Sequence, residues 1–131
     1  MADAAANTVS AMRQHDIKRL VIMSAFGVAD SWPNMHWLLR TTIKRSNMSF
    51  QWEDHEAVDK EVKALGTGIE WTLVRPVMLK EGEPKEVIVR GERGEKGVGL
   101  MSGIMRKNVA SFLVSAAEGS EWVGKTPVIT N

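Results

Sequence analysis

The stretch GIEWTLVRPVML, residues 68–79, constrains the fold more than any other part of the chain. It reads as a buried strand that ends on an arginine and a proline. Pro76 lacks the N–H that a central ladder needs, so the strand must stop there. A second run, Leu20 to Met23 within IKRLVIMSAFG, is continuously apolar, the mark of a strand covered on both faces. Gly27 then permits a sharp exit. Between the two runs lies EDHEAVDKEVKALGTG, in which Val58, Val62 and Leu65 fall at i, i+4 and i+7 with charges between them. That spacing predicts an amphipathic helix, with Asp54 as its cap and Gly66 or Gly68 as its stop.

The remaining segments fit the same alternation. Residues 4–14 can form a helix with Ala5, Val9 and Met12 on one side. Residues 30–52 look irregular, with a short helix around 35–44. KEVIVRG is a third, shorter strand. MRKNVASFLVSAAEG is the clearest helix, with Val109, Phe112, Leu113 and Ala116 on one face and Gly119 at its end. TPVIT closes the chain as a last strand. No repeat or linker interrupts residues 1–131, so one domain is expected. Strands that alternate with helices predict an α/β fold with a parallel sheet. Ligands of such sheets sit at the carboxyl ends of the strands. The segments to watch are therefore MSAFG, 23–27, and VRPVM, 74–78.

Composition closes several routes. The 131 residues carry 17 basic and 16 acidic side chains, so nothing draws the chain to nucleic acid or to a membrane surface. There is no cysteine, which excludes disulfides, thiolate catalysis and thiolate metal sites. His15, His36 and His55 show no ligand spacing, so no metal site is expected. There is also no tyrosine, so no phenol can donate a proton. No apolar run approaches the ~20 residues of a membrane span. These features lead to the expectation of a cytoplasmic protein.

IKRLVIMSAFGV followed by DHEAVDKEVKALGTGIEWTLVRPVML resembles the second half of the atypical short-chain dehydrogenase/reductase group, the NmrA-like and flavin-reductase-like NAD(P)H-binding proteins. RKNVASFLVSAAEGSEWVGKTPVIT resembles the closing helix and strand of that family. The likeness runs from about residue 7 to the end. It implies a partial Rossmann-like sheet that lacks the opening strand, glycine-rich turn and helix. It implies NADP as the cofactor of full-length relatives, which would pass hydride to a flat, conjugated small molecule. Without the glycine-rich phosphate turn, this chain is expected to bind the cofactor poorly. The Tyr-x-x-x-Lys pair of ordinary short-chain dehydrogenases cannot form, since Lys60 has no tyrosine partner.

The resemblance also implies site residues. Ser24 ends the first strand and matches a serine that lines the nicotinamide pocket; the alternative is a small residue tolerated at a strand end. His55 stands where relatives carry an acid–histidine pair and can donate or relay a proton, with Asp54 or Asp59 beside it; the alternative is a solvated first-turn residue. Ser24 and His55 are the catalytic candidates. Ser24, Ala25, Arg75, Pro76 and Val77 are the cofactor-binding candidates. Arg75 can hold an anion in a bidentate fork or form a structural ion pair with the preceding helix. Trp32, Met35, Trp37 and Trp52 can wall a substrate pocket or cover a sheet edge. Gly91, Gly94 and Gly97 in GERGEKGVG have a phosphate-turn spacing, but Glu92 and Glu95 oppose an anion, so an exposed glycine-rich hairpin or flexible loop is preferred.

An opening half that is absent would leave the strand at 19–24 with an apolar free edge. Such an edge invites pairing, so a homo-oligomer is expected. Two other functions stay open: a cofactor-free isomerase or cyclase that reuses the pocket, and a non-catalytic regulatory protein of the NmrA-like kind.

Overall fold

A computed structural model describes residues 1–65 and 67–131. Helix α1, Ala2–Gln14, leads into strand β1, Arg19–Met23. A 3-10 turn, Ala29–Asn34, and helices α2, Trp37–Arg45, and α3, Met48–Leu65, follow. Strand β2, Glu70–Pro76, is followed by the short strands β3, Met78–Lys80, β4, Ile88–Val89, and β5, Gly103–Met105. Helix α4, Arg106–Glu118, and strand β6, Val128–Thr130, complete the described chain.

The main sheet has the order β1-β2-β6-β4. β1 runs parallel to β2, with Met23 opposite Val74, and β2 runs parallel to β6, with Arg75 opposite Val128. Only β4 is antiparallel, against β6. The mixed α/β architecture is that of a partial Rossmann-like fold, as expected. β2 lies inside the sheet, and its residues Leu73, Val74 and Arg75 are each 0% exposed. Helices cover both faces. Ala5, Val58, Val62 and Leu73 pack together on the α1/α3 side. Val74, Val109, Ile104 and Ile129 form the larger core on the α4 side.

Two short strands had no counterpart in the sequence pattern. β3 begins two residues after Pro76 and pairs in parallel with β5, Met78 opposite Gly103. Runs of three residues are too short to carry a period of two.

The segment 30–52 is not irregular. His36 caps α2, its Nδ1 accepting from Leu38 N–H at 3.3 Å. Ser46 Oγ accepts from Met48 N–H at 3.3 Å, so α3 starts there rather than near residue 54. Asp54 is consequently a mid-helix residue, not a cap. Of the two expected stops, Gly66 lies outside the described residues; Gly68 has a φ of +84°.

Candidate functional site

The parallel register brings the ends of β1 and β2 together. Ser24 N–H donates to Val74 O at 2.7 Å, and Phe26 N–H donates to Pro76 O at 3.0 Å. The chain then leaves β1 through Gly27, whose φ of +88° lies in the left-handed region that glycine tolerates. Ser31 pins this turn: its Oγ accepts from Gly27 N–H at 2.9 Å and donates to Val28 O at 2.7 Å. α2 and α3 rise beyond it and form one wall of a cavity.

That cavity has a volume of about 520 Å³, within the range of small-molecule sites. Ser24, Ala25, Pro76 and Val77 line its floor, and Met35, Trp52 and His55 line its side. Of the expected cofactor-binding residues, four are therefore together, and Arg75 is not among them. Of the expected aromatic wall, Trp52 and Met35 face the cavity. Trp32 instead lines a second, smaller hollow beneath Arg40 and Lys44. Trp37 is 64% exposed and lies outside the cavity lining. The position of a tryptophan in a loop sequence carries no orientation, so the four could not be told apart beforehand.

Two polar atoms at this site are buried without partners. Ser24 is 5% exposed, and its Oγ makes no hydrogen bond. The same holds for Trp52 Nε1. A buried polar group left unpaired costs about 1–3 kcal/mol. Such atoms mark places where a ligand can supply the missing partner. His55 is half-buried, and burial pulls its pKa below the ordinary histidine value, with the charge of Asp54 opposing the shift. The imidazole is therefore neutral at neutral pH.

Asp59 does not orient His55. Its Oδ2 accepts from Arg75 Nη2 at 2.8 Å, and its Oδ1 faces Lys63 Nζ at 2.7 Å. Arg75 Nη1 donates to Asp30 Oδ1 at 2.8 Å and to Glu92 O at 3.0 Å. The guanidinium is thus consumed by an internal network linking α3, the 3-10 turn and the loop after β4. Of the two roles open to Arg75, its contacts are those of the structural ion pair with the preceding helix, through Asp59, and not of the anion fork counted among the cofactor-binding candidates, because both of its terminal nitrogens already face acceptors. Asp30, far from Arg75 in sequence, gave no sign of this partnership.

The glycine-rich segment 91–97 lies beside the same network as a largely exposed loop with internal hydrogen bonds. Gly91, Gly94 and Gly97 have φ values of +85°, +77° and +86°. Thr126 N–H donates to Glu92 Oε2 at 3.2 Å, and Arg93 N–H donates to Glu95 Oε2 at 2.8 Å. Backbone N–H groups, its own first, hold the Glu95 carboxyl below its ordinary pKa. N–H groups that a phosphate would require therefore face the chain's own carboxylates.

Sequence reasoning missed several lining residues. His36, Leu39, Thr42, Gln51 and Ser102 all reach the cavity. The first four come from α2, its cap and α3, whose faces were set only when these helices packed together, and Ser102 comes from the loop that enters β5. No cluster of three or more metal-ligating side chains occurs among the described residues. No helix among them is long and apolar enough to cross a membrane.

A profile of the NAD(P)H-binding family matches residues 1–119. The chain belongs to that family. No curated protein matches it in sequence. Among solved structures, it is similar to a short-chain dehydrogenase/reductase from Veillonella parvula DSM 2008 in complex with NADP, with a TM-score of 0.75, 15% identity, and coverage of 99% of this chain and 58% of that one. It is also similar to a Bacillus halodurans protein assigned as an NAD-dependent epimerase/dehydratase, with a TM-score of 0.73, 22% identity, and coverage of 97% and 52%. An anaerobillin reductase from Escherichia coli O157:H7 gives a TM-score of 0.73, 12% identity, and coverage of 96% and 56%. The chain thus spans little more than half the length of these structures.

Proposed function

We propose that this chain forms the substrate half of an NAD(P)H-dependent reductase that acts on a flat, conjugated small molecule. The observation that carries this reading is the buried, unpartnered hydroxyl of Ser24, a strand-tip residue that lines the same apolar cavity as His55. Ser24, Ala25, Pro76 and Val77 suit the nicotinamide end of the cofactor: a shallow apolar floor with one free hydroxyl for a polar substituent. No glycine turn for a pyrophosphate is formed by the described residues, since the 91–97 loop is filled by its own glutamates. When bound, the cofactor supplies hydride.

The protein's own part is to position, to keep water out and to manage one proton. The Ser24 hydroxyl orients the group it bonds. His55, neutral in its half-buried place, carries one N–H and one lone pair and can pass a proton to a reduced substrate. Trp52 and Met35 exclude water and present a flat surface. The locking of Asp59 by Arg75 and Lys63 takes away one of the two carboxylates that a cofactor-free isomerase could pair with His55, and Asp54, the other, accepts from the Met1 ammonium at 2.7 Å. A homo-oligomer that pairs β1 edges also belongs to this proposal.

Tryptophan fluorescence tests the reading, because Trp52 borders the cavity. Weak quenching by NADPH that saturates only at high cofactor concentration is expected, in keeping with the missing phosphate turn, and Ser24→Ala should weaken it further. With a substrate in hand, His55→Ala should lower kcat by about 10²–10⁴-fold with a smaller change in KM. Quenching by NADPH that never saturates, or a His55→Ala variant with full kcat, would overturn it.

A further inference from the structure

The near balance of charge over the whole chain, which gave no reason to expect a membrane surface as a partner, is an average. Residues 31–52 contain no aspartate or glutamate, yet they hold Arg40, Lys44 and Arg45. None of these three cations takes part in an ion pair among the described residues. Arg40 and Lys44 lie over the Trp32 ring, 5.5 and 5.8 Å from its centroid, a contact that leaves their charge uncancelled. Glu53 and Glu56 border the same hollow as Lys44 without pairing with it. On α2, residues three and four apart share a face. Thr41 is the centre of one such face, with Trp37 and Leu38 in the turn before it and Lys44 and Arg45 in the turn after it. All five are exposed, Trp37 to 64% and Leu38 to 43%. This outer face runs on toward the cavity. Leu38 stands one turn before Thr42, which lines the cavity, and Met23, Met48 and Met78 line it while each is at least 41% exposed. The mouth of the cavity therefore has an apolar rim beside a face that is apolar at one end and basic at the other.

We propose that the outer face of α2 docks on an anionic lipid bilayer, with Trp37 and Leu38 in the interfacial layer and Lys44 and Arg45 at the headgroups. Charge complementarity selects this occupant: a helix with cations and no acids is drawn to anionic lipid. Tryptophan, apolar in body and polar at one edge, suits the headgroup level. The stems of lysine and arginine lie along the apolar layer while their charges stay in water. Nucleic acid would answer the cations but would leave Leu38 and the methionine rim without an apolar partner. With nine residues, α2 lies on the bilayer and cannot span it. A short helix with few cations makes the attachment reversible. Docking in this pose turns the rim of the cavity toward lipid, so an uncharged apolar ligand would pass from bilayer to cavity without crossing water. The proposal goes beyond the reductase reading and does not rest on it.

Flotation with vesicles tests it, using phosphatidylcholine alone and phosphatidylcholine with about a quarter phosphatidylglycerol. The anionic vesicles should carry the protein at low salt and release it at high salt, and the neutral ones should carry little. Each cation near such a surface is worth roughly fivefold in affinity. Lys44→Gln combined with Arg45→Gln should therefore lower the partition coefficient about 25-fold. Trp37 is the one exposed tryptophan of the five, so its emission should shift to the blue on binding. Trp37→Phe should keep most of the binding and lose that shift, whereas Trp37→Ala should lose both. Val114→Ala, which trims an exposed apolar side chain on α4, should change neither. All these side chains are exposed, so the variants should melt with the parent protein. Equal attachment to neutral and anionic vesicles, binding that the double glutamine variant leaves intact, or no attachment at low salt overturns the proposal. Self-association without lipid that Trp37→Ala abolishes would give this face to a second copy of the chain and overturn it too. None of these readouts involves NADPH, so the docking and the reductase reading fail separately.

Discussion

Arg75 shows how one side chain can tie three segments together. It is fully buried, bonded to Asp30, Asp59 and the Glu92 carbonyl, while Lys63 supports Asp59 from the far side. Removing one partner of a buried pair strands the other charge, at about 3–5 kcal/mol. Arg75→Met should therefore lower the urea midpoint by that equivalent, and Lys63, still present, should hold the loss toward the lower end. His55 makes the complementary prediction in pH. Its folded pKa lies below the ordinary value, so between the two the unfolded chain binds more protons than the folded one. Stability must then fall as pH drops through the ordinary value of 6.5, and the fall is complete below the folded value. His55→Gln should remove that part of the pH dependence, as measured by urea unfolding across the range.

At the scale of elements, the loop after β4 acts as a strap. Gly94 sits at φ +77°, and a Cβ there would stand 2.6 Å from Phe26 Cε2. Phe26 borders the cavity, so the strap and the site share a contact. Gly94→Ala combines left-handed backbone strain of about 1–2 kcal/mol with that clash. Loss of at least this much stability is expected in thermal unfolding. α3 makes a second point. The sequence placed its apolar stripe, Val58 and Val62, correctly, and both are buried. Its start was not legible, because Ser46 captured the Met48 N–H and added turns that have no apolar period of their own. Caps fix helix ends locally, while apolar spacing reports only the face that a helix buries.

The whole molecule carries one exposed liability. Among the described residues β1 has a neighbour on one side only, β2. Ser24 N–H points to β2, and strand alternation turns the amides of Val21 and Met23 outward. Partly buried Val21 and Ile22 and exposed Met23 complete a template for pairing. Self-association is expected in sedimentation velocity, and Val21→Pro, which deletes an outward N–H without breaking a bond to β2, should shift the population to monomer. Association that Val21→Pro leaves intact would place any interface elsewhere.

The sequence by itself determined the order of the two long strands and of the helices that flank them, the parallel pairing of those strands and the position of their tips. These follow from apolar periodicity and from the amide missing at Pro76, which are properties of short segments. Only the tertiary structure decided which side chains meet at those tips. It sent Arg75 inward to Asp30 and Asp59, put Trp52 but not Trp32 or Trp37 on the larger cavity, and drew His36 into the cavity wall. Contacts across dozens of residues depend on how α2 and α3 pack on the sheet, and that packing is a sum of many small interactions that no local pattern encodes.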